Sequence, residues 1–81
     1  MLVSNINNRP NQFIIENDGA EYFQSYKSII AKKQNGQIYL DEYYWDYSTT
    51  TSKYRNIFLG LDTKEIKKLI KNGDIQLTNL N

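Results

Sequence analysis

Asp41, Glu42 and Asp46 are the chain's clustered carboxylates, set within the run DEYYWDY at residues 41–47. Paired carboxylates perform acid–base chemistry when burial and proximity split their pKa values. A cluster of oxygens can also hold a hard cation. This spacing matches no calcium loop, and a solvated acidic turn is the plainer reading. The hydroxyl run STTTS at residues 48–52 precedes Lys53, but a hydroxyl beside an amine in sequence is not thereby activated. The chain has no histidine and no cysteine. The usual general base, triad member, and imidazole or thiolate metal ligands are therefore missing together. No glycine-rich phosphate loop is present. The expectation is a protein that is not an enzyme, with no catalytic set, no metal and no cofactor.

Binding suits these residues better. Tyr43, Tyr44, Trp45 and Tyr47 are interleaved with Asp41, Glu42 and Asp46, and tyrosine and tryptophan dominate the energetics of protein interfaces. On this reading Trp45 is the apolar anchor, Tyr43 and Tyr44 are its neighbours, and the three acids meet basic groups of a protein partner. The competing use of aromatics in so short a chain is simply to fill the core.

A second set points to nucleic acid. Thr50, Thr51, Ser52, Lys53 and Arg55 stand at a helix start, where hydroxyls, bases and free N–H groups can hold a phosphate. Lys64, Lys67, Lys68 and Lys71 follow on the next helix. The net charge is only +1 but is unevenly spread. Residues 13–46 carry six acids against three lysines, net −3, and residues 53–71 carry six bases against two acids, net +4. Against a nucleic-acid role, the acids lie beside the aromatics, and the lysine helix offers no Asn, Gln or Arg to read bases. Nucleic acid is the alternative, and a protein partner is the main expectation.

The elements that must position these residues are legible in outline. Eighty-one residues allow a single domain with a small core. Residues 1–11, rich in Asn, read as an irregular arm in which Leu2, Val3 and Ile6 offer a short edge strand. Residues 12–81 form the domain. Phe13, Ile14 and Ile15 begin a strand, Asp18-Gly19 turns it back, and residues 20–26 return. Residues 27–33 continue in extended form, with Ile29 and Ala31 on one face and Ile30 on the other. Asn35-Gly36 makes a second tight hairpin into residues 37–42.

A short helix over residues 53–59 follows, capped from the hydroxyl run and closed by Gly60. Asp62 and Glu65 have capping-box spacing for a last helix with Ile66, Leu69 and Ile70 inward. Residues 74–80 alternate as a closing strand. The predicted class is α+β: a small antiparallel sheet of two hairpins packed against two short C-terminal helices. No stretch is long enough to span a membrane, and no signal peptide is evident, so the expected location is cytoplasmic. An exposed edge strand also leaves a homodimer open.

Residues 25–31, the run WDYSTTTSKYR at residues 45–55 and Phe58-Leu59-Gly60 together resemble a family of small uncharacterised proteins of phages and mobile elements in low-GC bacteria. Shared features are a tyrosine–serine pair, a threonine-rich turn and a helix ending in Phe-Leu-Gly, over roughly residues 13–75. Such relatives carry histidine where this chain has Tyr54, so no essential histidine role carries over. The resemblance implies an accessory protein in the host cytoplasm, one that disables a host defence or regulates a promoter.

Overall fold

The computed structural model describes residues 1–81. Six strands form one sheet in sequence order: β1 (Leu2–Asn5), β2 (Gln12–Asn17), β3 (Ala20–Ser25), β4 (Ser28–Gln34), β5 (Gln37–Asp41) and β6 (Ile75–Thr78). The first five run as an antiparallel meander. Two helices, α1 (Thr49–Leu59) and α2 (Thr63–Lys71), carry the chain from β5 to β6. Such a crossover brings the chain back in the same direction, so β6 pairs parallel to β5, Ile38 opposite Ile75 and Leu40 opposite Leu77. The closing strand was expected; its parallel direction follows from the two-helix crossover. No helix is long and apolar enough to cross a membrane.

Both turns read from Asx-Gly pairs are tight two-residue hairpins. Asp18 and Gly19 take φ of 52° and 79°, and Asn35 and Gly36 take 53° and 76°. Positive φ at both central residues defines the type I′ turn, whose twist matches the flanking strands.

A third hairpin joins β3 to β4 at Tyr26 and Lys27, where the sequence reads as one extended run. No turn former sits there. Tyr26 itself adopts φ 56°, a region costly for a bulky residue. Two hydrogen bonds hold it: its N–H donates to the Asn11 carbonyl at 2.8 Å, and Gln24 Nε2 donates to its carbonyl at 2.7 Å. Just beyond, Phe23 faces Ala31 while Gln24 faces Ile29, leaving Ile30 as an extra, bulged residue. Ile30 and Ala31 therefore both enter the core, which corrects the alternation predicted for β4.

Within the arm at residues 1–11 the short edge strand is present. Leu2 to Asn5 pair with Glu16 to Phe13, making β1 an edge of the sheet. Ile6, in the turn that follows, is buried and anchors the strand. One face of the sheet supplies Phe23, Ala31, Leu40 and Ile75 to the core, and the helices answer with Tyr54, Phe58 and Ile66. Phe23 and Phe58 stack at 5.9 Å between ring centres.

The helix ends are built as their sequences imply. Ser48 caps α1, its hydroxyl accepting from the Thr51 N–H at 3.1 Å. The helix starts at Thr49, so most of the hydroxyl run lies inside it instead of before it. Gly60 closes α1 in the left-handed region at φ 70°. Asp62 and Glu65 form the reciprocal capping box of α2, at 2.8 and 3.1 Å.

Candidate functional site

Asp41, at the end of β5, is the fastener of the aromatic turn. It is almost fully buried. Its Oδ2 accepts from the N–H groups of Tyr43 and Tyr44 at 3.1 and 2.9 Å. Its Oδ1 accepts from the Leu80 N–H at 2.9 Å and from Asn81 Nδ2 at 3.0 Å. Burial works against its charged form, but the four donors outweigh burial and hold the carboxyl below its ordinary pKa. A short side chain taking backbone N–H groups two and three residues on is what forces a turn at this point. The C-terminal residues are tied to the same carboxylate. Asn81 also brackets the Ile29 backbone, accepting from its N–H at 2.8 Å and donating to its carbonyl at 2.9 Å.

The turn then projects its rings unequally. Tyr43 is 78 % exposed and Tyr47 63 % exposed. Tyr44 is half-buried between them, edge-on to Tyr43 at 4.7 Å and to Tyr47 at 5.6 Å between ring centres. Edge-to-face contacts of this kind fix ring orientation at little further entropic cost. Trp45 turns the other way. It is half-buried against the core, with the Arg55 guanidinium 5.3 Å from its ring centre.

Arg55 is the polar centre of the helical layer. Its side chain is wholly buried. Nη1 donates to the Trp45 carbonyl and to Asp46 Oδ1, the latter at 3.2 Å. Nη2 donates to Asn56 Oδ1 at 3.0 Å and Thr63 Oγ1 at 2.9 Å, and Nε donates to Asn56 Oδ1 at 3.2 Å. Every N–H of the guanidinium is thus used, as a buried arginine requires. Asp46 also accepts from the Ser52 hydroxyl at 3.0 Å. Burial again opposes its charged form. The Ser52 and Arg55 hydrogen bonds, with the nearby charges of Arg55 and Lys67, prevail and lower its pKa.

Beside the turn lies a groove of about 710 Å³. Tyr44, Tyr47, Phe13, Tyr26 and Ile30 supply its apolar lining, and Ser25 and Thr51, both buried, are among its polar lining. The hydroxyls of Ser25 and Thr51 share a hydrogen bond at 3.3 Å. Lys27 is the lining's one charged residue.

The residues singled out by sequence therefore divide. Tyr43, Tyr44 and Tyr47 gather at the groove and its rim, with Glu42 exposed beside them. Asp41 is buried and committed to internal hydrogen bonds; Asp46 pairs through Oδ1 with Arg55 and Ser52 but its side chain stays 42 % exposed, and Glu42 is exposed. In the nucleic-acid set, Arg55 is enclosed and Thr51 is buried, which removes both from any phosphate contact. Thr50 and Lys53 are exposed and Ser52 is half-buried. Lys64, Lys67, Lys68 and Lys71 line the exposed side of α2. Phe13, Tyr26 and Ile30 were missed as groove residues. The signals that gather them are the β3–β4 turn and the bulge, neither marked by a turn former in the sequence.

A family model covers residues 2–75 of the chain. The chain belongs to DUF8033, a family of unknown function. No curated protein matches it, and no solved structure does. The match begins within β1 and ends at the first residue of β6. It therefore takes in the meander, the aromatic turn and both helices, with the turn and groove inside the family's span.

Proposed function

We propose that this protein is a non-enzymatic binding domain that takes an apolar segment of a partner protein into the groove beside Tyr44 and Tyr47. The observation that carries the reading is the pair of exposed rings, Tyr43 and Tyr47, held edge-on to Tyr44, which with Tyr47 lines a groove of mixed apolar and polar lining. Orientated aromatics beside a concavity are what interface hot spots are made of. Glu42 at the rim suits a basic residue flanking the partner's anchor. Trp45 supports the site from within, held by Arg55, and is not itself the contact. The resemblance to phage and mobile-element proteins supports an accessory setting, with a host or phage protein as partner and inhibition of a host defence as the use.

The test is a pull-down from low-GC bacterial host lysate with the wild type and with Tyr43→Ala and Tyr47→Ala. A partner captured by the wild type should lose affinity by about 2 kcal/mol, roughly thirtyfold, with either variant. Melting temperatures should stay close to the wild type, because both side chains are exposed. If capture survives both tyrosine changes but is lost on replacing Lys64, Lys67, Lys68 and Lys71 by Gln, with steep salt dependence, the ligand is nucleic acid on α2 and the proposal fails.

A further inference from the structure

The helices cover one face of the sheet, and the other face carries no second layer. One register row crosses that open face from edge to edge. Val3 stands opposite Ile15, Ile15 opposite Tyr22, Tyr22 opposite Lys32, Lys32 opposite Tyr39, and Tyr39 opposite Gln76. Strand alternation places this row away from Phe23, Leu40 and Ile75, which lie in the core. Lys33, next in sequence to Lys32, marks the contrast: its ammonium reaches the Phe58 carbonyl on the helix side at 3.0 Å.

At the centre of the row the Lys32 ammonium is 5.6 Å from the Tyr22 ring centre and 5.5 Å from that of Tyr39. Both distances are within the range of cation–π attraction. The two rings stand two strands apart, about 10 Å by the ordinary strand spacing. The row beside it aligns Phe13, Gln24 and Ile29.

At the centre of this face the charge has one sign. Lys32 is the single ionised residue of its row. Asp41, at the end of β5, has both oxygens taken by four donors. Glu21 pairs with Lys33, at 3.7 Å, on the helix side. A second copy docked face to face across a two-fold would bring two Lys32 ammonium groups out of water at the centre of the row, where no carboxylate stands, which is costly.

Ring, cation and ring in line match a polymer in which base, phosphate and base alternate. We infer that the open face binds single-stranded nucleic acid, with bases stacked on Tyr22 and Tyr39 and the intervening phosphate at Lys32. Stacking on a flat sheet requires unpaired bases, so duplex is disfavoured. Tyr22, Lys32 and Tyr39 are not among the groove residues, although the adjoining Phe13 and Gln24 are, and neither reading depends on the other.

The experiment is fluorescence anisotropy with labelled oligo-uridine and oligo-thymidine of about ten nucleotides, a length typical of one such site. Wild-type binding should weaken steeply between roughly 50 and 200 mM salt. Tyr39→Leu should weaken it about tenfold. Lys32→Gln should weaken it and lower the slope of log affinity against log salt by about one. Circular dichroism checks that each variant is folded. If Tyr39→Leu is not, Lys32→Gln decides alone. Absence of binding at low salt overturns the inference. So does binding that is insensitive to Lys32→Gln yet lost when Lys64, Lys67, Lys68 and Lys71 are replaced by Gln. Concentration-dependent dimerisation of the wild type that Lys32→Glu abolishes would assign the face to a second copy and overturn it equally.

Discussion

Arg55 shows how one residue can change roles between the sequence and the folded chain. Beside a hydroxyl run it looks like a phosphate ligand. In the fold it is sealed, and its five N–H groups tie the aromatic turn, α1 and the start of α2 together. Truncating a buried, fully bonded guanidinium leaves several acceptors without donors. Arg55→Ala should lower stability by about 3 kcal/mol in urea denaturation. Arg55→Lys should recover only part of this, because an ammonium cannot reproduce the planar fork.

Asp41 has a similar standing, with a pH signature attached. Its folded pKa is depressed. The stability it contributes is therefore fully present above its unfolded pKa, about 3.9, and is lost as pH falls through the lower folded value. Asp46 acts in the same direction. Melting temperature should hold steady from neutral pH to about pH 5 and fall steeply below about pH 4. Asp41→Asn should cost about 2 kcal/mol at neutral pH and flatten the acid limb of that profile.

At the scale of elements, what was legible in the sequence is what local chemistry dictates. Asp18-Gly19 and Asn35-Gly36 specified their hairpins because only residues tolerant of positive φ fit a type I′ turn. Asp62 and Glu65 specified the start of α2 through two reciprocal hydrogen bonds. What escaped was set by distant partners. The hairpin at Tyr26 depends on the Asn11 carbonyl, the bulge at Ile30 on packing, and the concealment of Arg55 on Trp45 and Thr63.

The aromatic turn was recognised, but the side of it that each ring takes was not, since Asp41 and Arg55 decide that from beneath. Tyr26 invites a test of this division. Its left-handed backbone is strained, and Asn tolerates that region better. Tyr26→Asn should raise stability by about 0.5–1 kcal/mol, roughly 3–6 °C in melting temperature. It should also weaken capture of a groove ligand, because the Tyr26 ring is one of the groove walls. Stability and binding would then move in opposite directions in one variant.

The whole molecule is a meander with one non-local closure. β1 to β5 pair only with sequence neighbours, whereas Ile75 must find Ile38 across both helices. The edges are short, with four residues each in β1 and β6. Protection from hydrogen exchange should therefore be graded. Amides of β1 and β6 should exchange through local opening, while those of Phe23 and Ala31, paired at the centre, should exchange only on global unfolding. A β6 protected as strongly as β3 would show that the crossover closes as one unit with the meander.

The parallel join of β5 and β6 also bears on how the chain leaves the ribosome. Each hairpin of the meander can zip up as its second strand emerges, since its partner has just been made. The outer edge of β5 has no such neighbour and must wait, with its N–H and C=O groups uncovered, until both helices and the final strand have been synthesised. During that interval the nascent chain offers an open edge to any other extended segment, and the helix caps and buried guanidinium that settle the helices shorten its exposure.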